Sequence, residues 1–107
     1  MYSISRFDST GNATNTTTVN SSSATDITNF TATNRQAVLV ANCDATYYLY
    51  CKVISGTSTP TITATNFHFK LAPGAEKTIA CGPSVKVWAI NNTSPSSNTI
   101  ATAVELK

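Results

Sequence analysis

The sequence predicts an all-β domain, a small β-sandwich or jelly roll with an extended polar N-terminal segment. From Gln36 to Lys107 apolar and polar residues alternate with a period of two, the spacing that puts one side of a pleated strand against a core. Breaks containing Gly, Pro, Asn or Asp interrupt that alternation about every ten residues, as in chains of many short strands. No window places apolar residues at i, i+3, i+4 and i+7 over successive turns, which excludes a long helix.

The chain has 107 residues, 41% hydrophobic and 11% charged, enough for one domain around one core. Globular domains average about 25% charged residues. Here Ser, Thr and Asn supply the polar surface, and Thr, being β-branched, also suits extended backbone. A net charge of +2 is too weak and too scattered for a nucleic-acid footprint. No apolar run is long enough to span a membrane. The start, Met1 to Asp8, lacks a basic stretch followed by an apolar one, so secretion by a signal peptide is not expected.

Two regions are expected. Residues 1–35 form a Thr/Asn/Ser-rich arm or edge strands, and residues 36–107 form a sandwich core that folds by itself. Tyr2 to Phe7 has the makings of a short first strand. From Ser9 to Asn34 the sizeable apolar residues are Val19, Ile27 and Phe30, too few to offset an ordering cost of about 1–2 kcal/mol per residue in isolation. The segment therefore needs a surface, either its own domain or a neighbouring subunit.

Ala37 to Cys43 sets Val38 and Val40 against Leu39 and Ala41, as in a strand covered on both faces. Asp44-Ala45-Thr46 is expected to turn the chain into a hairpin with Tyr47 to Ile54, where Leu49, Cys51 and Val53 oppose Tyr48, Tyr50 and Lys52. After a loop from Gly56 to Pro60, Thr61 to Thr65 reads as a short edge strand around Ile62. Asn66 to Leu71 places Phe67, Phe69 and Leu71 inward. Pro73-Gly74 fits the centre of a type II turn, because Pro fixes the first φ and Gly accepts the positive second one. Lys77 to Cys81 stops at Gly82-Pro83. In Ser84 to Ile90, Val85, Val87 and Ala89 oppose Lys86, Trp88 and Ile90. In the last strand Ile100, Thr102, Val104 and Leu106 oppose Ala101, Ala103 and Glu105.

Catalytic constellations are missing from the pattern, and a non-enzymatic protein without cofactor or metal is expected. His68, the one histidine, shares an outward side with Lys70 and has no nearby relay partner in sequence. Asp8, Asp26, Asp44, Glu76 and Glu105 are dispersed, with no pair placed as a glycosidase requires. Cys43, Cys51 and Cys81 lack zinc-ligand spacing and read as buried reduced thiols, or as one disulfide plus a free thiol. Tyr48, Tyr50 and Trp88, opposite the expected core face, are candidate interface residues, since such rings join large apolar area to a hydrogen-bonding tip. Val19, Ile27 and Phe30 are the corresponding anchors of the leader. The same three rings also allow a carbohydrate-binding or adhesin platform.

Leu49-Tyr50-Cys51-Lys52-Val53, Thr65 to Gly74 with its Phe67-His68-Phe69-Lys70-Leu71-Ala72-Pro73-Gly74 run, Pro83 to Ile90, and Ala103-Val104-Glu105-Leu106 occur in an order that resembles small β-sandwich virion proteins of tailed bacteriophages, of the capsid decoration (cement) type. The resemblance covers about residues 36 to 107. It implies a structural virion protein on the capsid surface, made in the host cytoplasm, a homotrimer contacting the major capsid protein or other virion proteins without nucleic acid or membrane. A neck, tail or fibre-attachment protein is the neighbouring alternative. The long polar leader and the three cysteines depart from that pattern.

Overall fold

A computed structural model describes residues 14–28, 36–91 and 99–106. The expected strand over residues 2–7 and the anchor Phe30 lie outside them. Eight strands follow in order: β1 (Thr14–Val19), β2 (Thr25–Asp26), β3 (Ala37–Asn42), β4 (Leu49–Ser55), β5 (Phe69–Leu71), β6 (Glu76–Ala80), β7 (Val85–Asn91) and β8 (Thr99–Leu106). They form two four-stranded sheets, ordered β1-β8-β3-β6 and β2-β7-β4-β5, with every pairing antiparallel.

This order is that of a jelly roll. Strand β1 pairs with β8, β2 with β7, β3 with β6 and β4 with β5. That is the ladder of one long hairpin, which rolls so that alternate rungs fall in opposite sheets. The all-β sandwich expected from the alternation is the architecture found. The core lies between the sheets, where Val38 and Val40 of β3 meet Leu49 and Cys51 of β4, Val87 and Ala89 of β7, and Ala101 and Ala103 of β8. The small residues on β8 let the two layers approach.

Of the two placements left open for the leader, the described part takes the first. Strand β1 runs along β8 from Thr14↔Val104 to Val19↔Thr99, and β2 runs along β7. Val19 and Ile27 are fully buried in the core. Two well-spaced apolar side chains, supported by main-chain pairing, thus anchor a stretch whose composition reads as loose.

The expected hairpin between residues 37–43 and 47–54 does not form, because β3 and β4 belong to opposite sheets. A tight hairpin needs residues suited to positive φ at its tip, and Asp44-Ala45-Thr46 offers no glycine. The segment instead arches between layers. Asp44 Oδ2 accepts from Thr46 N at 2.8 Å and Tyr47 N at 2.7 Å, and Asn42 Oδ1 accepts from Asp44 N at 3.0 Å. Another inter-sheet crossing is the Pro73-Gly74 turn, where Gly74 has φ 79° and Ala75 N donates to Ala72 O at 2.9 Å. This is the type II geometry expected from the dipeptide.

Two further expectations change. Thr61 to Thr65 is not a strand; Thr63 and Asn66 make an isolated bridge, and Ile62 is buried. Phe69 and Leu71 face the core as expected, but Phe67 lies outside β5 and packs against Tyr50, at a centroid distance of 5.0 Å and a tilt of 54°. The alternation is broken where the strand has not yet begun.

Candidate functional site

The residues expected to form an interface occupy three environments. Tyr48 is exposed at 37%, with Lys70 Nζ 5.4 Å from its ring centroid. Tyr50 and Trp88 lie on the outer side of the β2-β7-β4-β5 sheet as the alternation requires, but each is only 9% exposed. With Ile62 and Ile90 they make a second apolar cluster, covered by Phe67, Ile54 and Ala24. The long β4–β5 connection folds back over the sheet and covers the rings, so the three do not form an open platform. Val19 and Ile27, expected as docking anchors, are interior to the protomer and unavailable to a partner while it stays folded.

The ionisable residues do not converge. Asp26 Oδ2 pairs with Lys86 Nζ at 3.1 Å, Asp44 organises its arch, Glu76 is exposed on β6, and Glu105 is fully buried on the inner side of β8. His68 serves the backbone: its N–H donates to Cys51 O at 2.8 Å and its Nδ1 accepts from Val53 N at 3.0 Å, continuing the ladder beyond β5. Among the described residues no three His, Cys, Asp or Glu side chains stand together as a metal would need. Among those residues also, no helix is long and apolar enough to cross a membrane.

No disulfide joins the three cysteines, of which Cys51 and Cys81 are buried and Cys43 is exposed, so the expectation of buried thiols fails at Cys43. Cys43 follows β3 on its outer side, where Sγ donates to Thr102 Oγ1 at 3.3 Å. Burial pushes the Cys51 thiol from 9.0 up to about 12. The thiolate is the nucleophile, so a thiol reagent should react rapidly with one cysteine of the folded chain and with all 3 after denaturation. The same burial links stability to pH. An unfolded Cys51 ionises near 9 while the folded one keeps its proton, so stability falls as pH rises from about 9 towards 12. Urea midpoints across that window should decline less steeply in Cys51→Ala.

What remains as a broad surface is the outer side of the β1-β8-β3-β6 sheet. Register places Thr18 beside Ile100, Thr16 beside Thr102, Ala41 and Glu76, and Val104 beside Leu39 and Thr78. Ile100 is 49% exposed, and Thr16 and Thr102 join hydroxyls at 3.4 Å. Glu76, on the edge strand β6, is the charged residue of this face among the described residues. Threonine hydroxyls and branched aliphatic side chains thus make a nearly neutral face.

Sequence reasoning passed over the buried polar residues that hold this frame. Thr28 is fully buried, donates from Oγ1 to Asp26 Oδ1 at 2.8 Å and accepts from Val87 N at 3.0 Å. Thr28→Val should cost about 1–3 kcal/mol in urea unfolding by orphaning that N–H, while Thr28→Ser retains most of the stability. Asn42 and Asn91 are buried at 1% and 0% exposure. Asn91 Nδ2 donates to Val19 O at 3.0 Å, tying the end of β7 to the end of β1 across the two layers. An Asx spacing at strand ends is the only hint the sequence carries. No family model matches this chain, and no curated protein or solved structure matches it.

Proposed function

We propose that the chain is a non-enzymatic structural component of a bacteriophage virion, a capsid decoration (cement) protein that seats on the head as a homotrimer and bridges major capsid subunits. The observation that carries this reading is the nearly neutral outer face of the β1-β8-β3-β6 sheet, with Ile100 half exposed among threonines. Desolvating such a face inward of Glu76, at its β6 edge, buries no charge, and its contacts are weakly screened by salt. Each contact is small, and many copies on a lattice supply the rest.

The sequence resemblance over about residues 36 to 107 supports the reading. So does the jelly-roll strand order, which recurs in viral capsid proteins and also in lectins and cupins, so its support is by analogy. Burial of Tyr50 and Trp88 takes two rings from the platform a carbohydrate-binding or adhesin module would use.

The test is a count of the chain in purified particles of the phage that encodes it, by quantitative mass spectrometry. Decoration gives on the order of hundreds of copies, following the symmetry of the head. About a dozen copies or fewer would move the protein to the neck or tail, and absence from particles would overturn the virion reading.

A further inference from the structure

The cover over Tyr50 and Trp88 creates a feature that neither ring forms alone. Residues 22–24, between β1 and β2, and residues 59–62, in the β4–β5 connection, face each other across a cleft of about 300 Å³. We propose that this cleft binds a neutral sugar, one pyranose ring at a time. The proposal is independent of the docking face, which lies on the other sheet.

Both walls are pinned. Asn20 Oδ1 accepts from Ser22 N at 3.0 Å, Ser22 Oγ at 2.9 Å and Ser23 N at 3.2 Å, which fixes the first wall. The second is fixed by Ile62, whose side chain is buried in the Tyr50, Trp88 and Ile90 cluster, and by the Thr63–Asn66 bridge that follows. A site held in shape before its ligand arrives avoids the ordering cost of a mobile loop.

The lining selects the ligand. Ser22, Ser23, Thr59 and Thr61 bring hydroxyls, Ala24, Pro60 and Ile62 bring apolar surface, and no ionisable side chain is among them. An ionic ligand would lose hydration there with no charged group among the described lining residues to pair against. A sugar ring has the matching character, with hydroxyls at its rim and C–H groups on its face. The Ser22 hydroxyl spends its proton on Asn20, so its oxygen is left to accept from a ligand hydroxyl. The volume lies at the lower end of the roughly 300–1,000 Å³ of small-molecule sites, which fits one ring better than a chain.

The protein carries its own reporter. Trp88 is the only tryptophan, it packs in the cluster that holds Ile62 and Ala24, and its buried Nε1–H meets no hydrogen-bond partner among the described residues. The ¹⁵N-labelled full chain would be titrated with methyl glucoside, methyl galactoside, methyl mannoside and N-acetylglucosamine, with glycerol and sodium sulfate as controls. At least one sugar should give saturable shifts at Ser22–Ala24, Thr61, Ile62 and the Trp88 indole, with Kd about 1–10 mM. Thr61→Phe and, from the opposite wall, Ser23→Phe fill the cleft with exposed side chains and should each weaken binding at least about tenfold while the remaining spectrum stays in place. The proposal is overturned if no sugar gives saturable shifts there, if glycerol or sulfate reproduces them, or if both filled variants bind like the parent.

Discussion

A chain that begins at Gln36 should fail to fold. Removing residues 1–35 deletes β1 and β2, takes Val19, Ile27 and Thr28 out of the interior, and leaves the flanks of β8 and β7 open. Burial of two such aliphatic side chains is worth about 3–6 kcal/mol, against a total stability of about 5–15 kcal/mol for a small domain. Unpaired flanks then favour aggregation. Circular dichroism and amide NMR of residues 36–107 should show no cooperative transition and little dispersion. A well-dispersed spectrum with a sigmoidal melt would return the leader to the separable arm that its composition predicts.

The second large effect is expected at Asn42. Its Nδ2 donates to Tyr47 O at 2.8 Å and to Leu71 O at 3.1 Å, while its main chain bonds Ala75 N-terminally and Gly74 C-terminally, by Asn42 N to Ala75 O at 2.9 Å and Gly74 N to Asn42 O at 3.0 Å. The buried side-chain amide therefore ties the end of β3 to the arch that leaves it and to β5 in the opposite sheet, while the main chain of the same residue holds the Pro73-Gly74 turn. Asn42→Leu keeps the volume but leaves the buried Leu71 carbonyl, and the part-buried Tyr47 carbonyl and Asp44 N–H, without their partner. The loss should be about 3–5 kcal/mol in urea unfolding, since each orphaned buried group costs about 1–3 kcal/mol. A loss below about 1 kcal/mol would mean that water replaces the amide and that Asn42 is not the clamp between layers.

Period-two alternation made the strands legible, and it sorted residues correctly onto sides at β7, where Val85, Val87 and Ala89 face the core and Trp88 and Ile90 the other way. It does not say whether the other side is wet. Tyr50 and Trp88 look like a surface until the β4–β5 connection lies over them, an arrangement set by contacts distant in sequence. Pairing was less legible for a related reason: adjacent strands read most simply as hairpins, whereas a jelly roll sends β3 and β4 to different layers. The leader's average composition left its placement open between its own domain and a neighbour. Its composition is that of a loose segment, yet Val19 and Ile27 sit where their strands need them, and two anchors suffice once β8 and β7 supply main-chain partners. Buried Thr28, Asn42 and Asn91 were invisible because a polar residue's burial depends on the carbonyls and amides it meets.

The functional account depends on one surface, the neutral outer side of the β1-β8-β3-β6 sheet. Charge placed there should abolish docking without touching the fold, because Ile100 is 49% exposed and its side chain points away from the core. The direct measurement is retention of Ile100→Lys on phage heads stripped of the chain, compared with the parent by co-sedimentation, after urea unfolding has confirmed equal stability. The account predicts that the parent saturates the heads and the variant washes off; a variant that saturates them with the parent's affinity contradicts it.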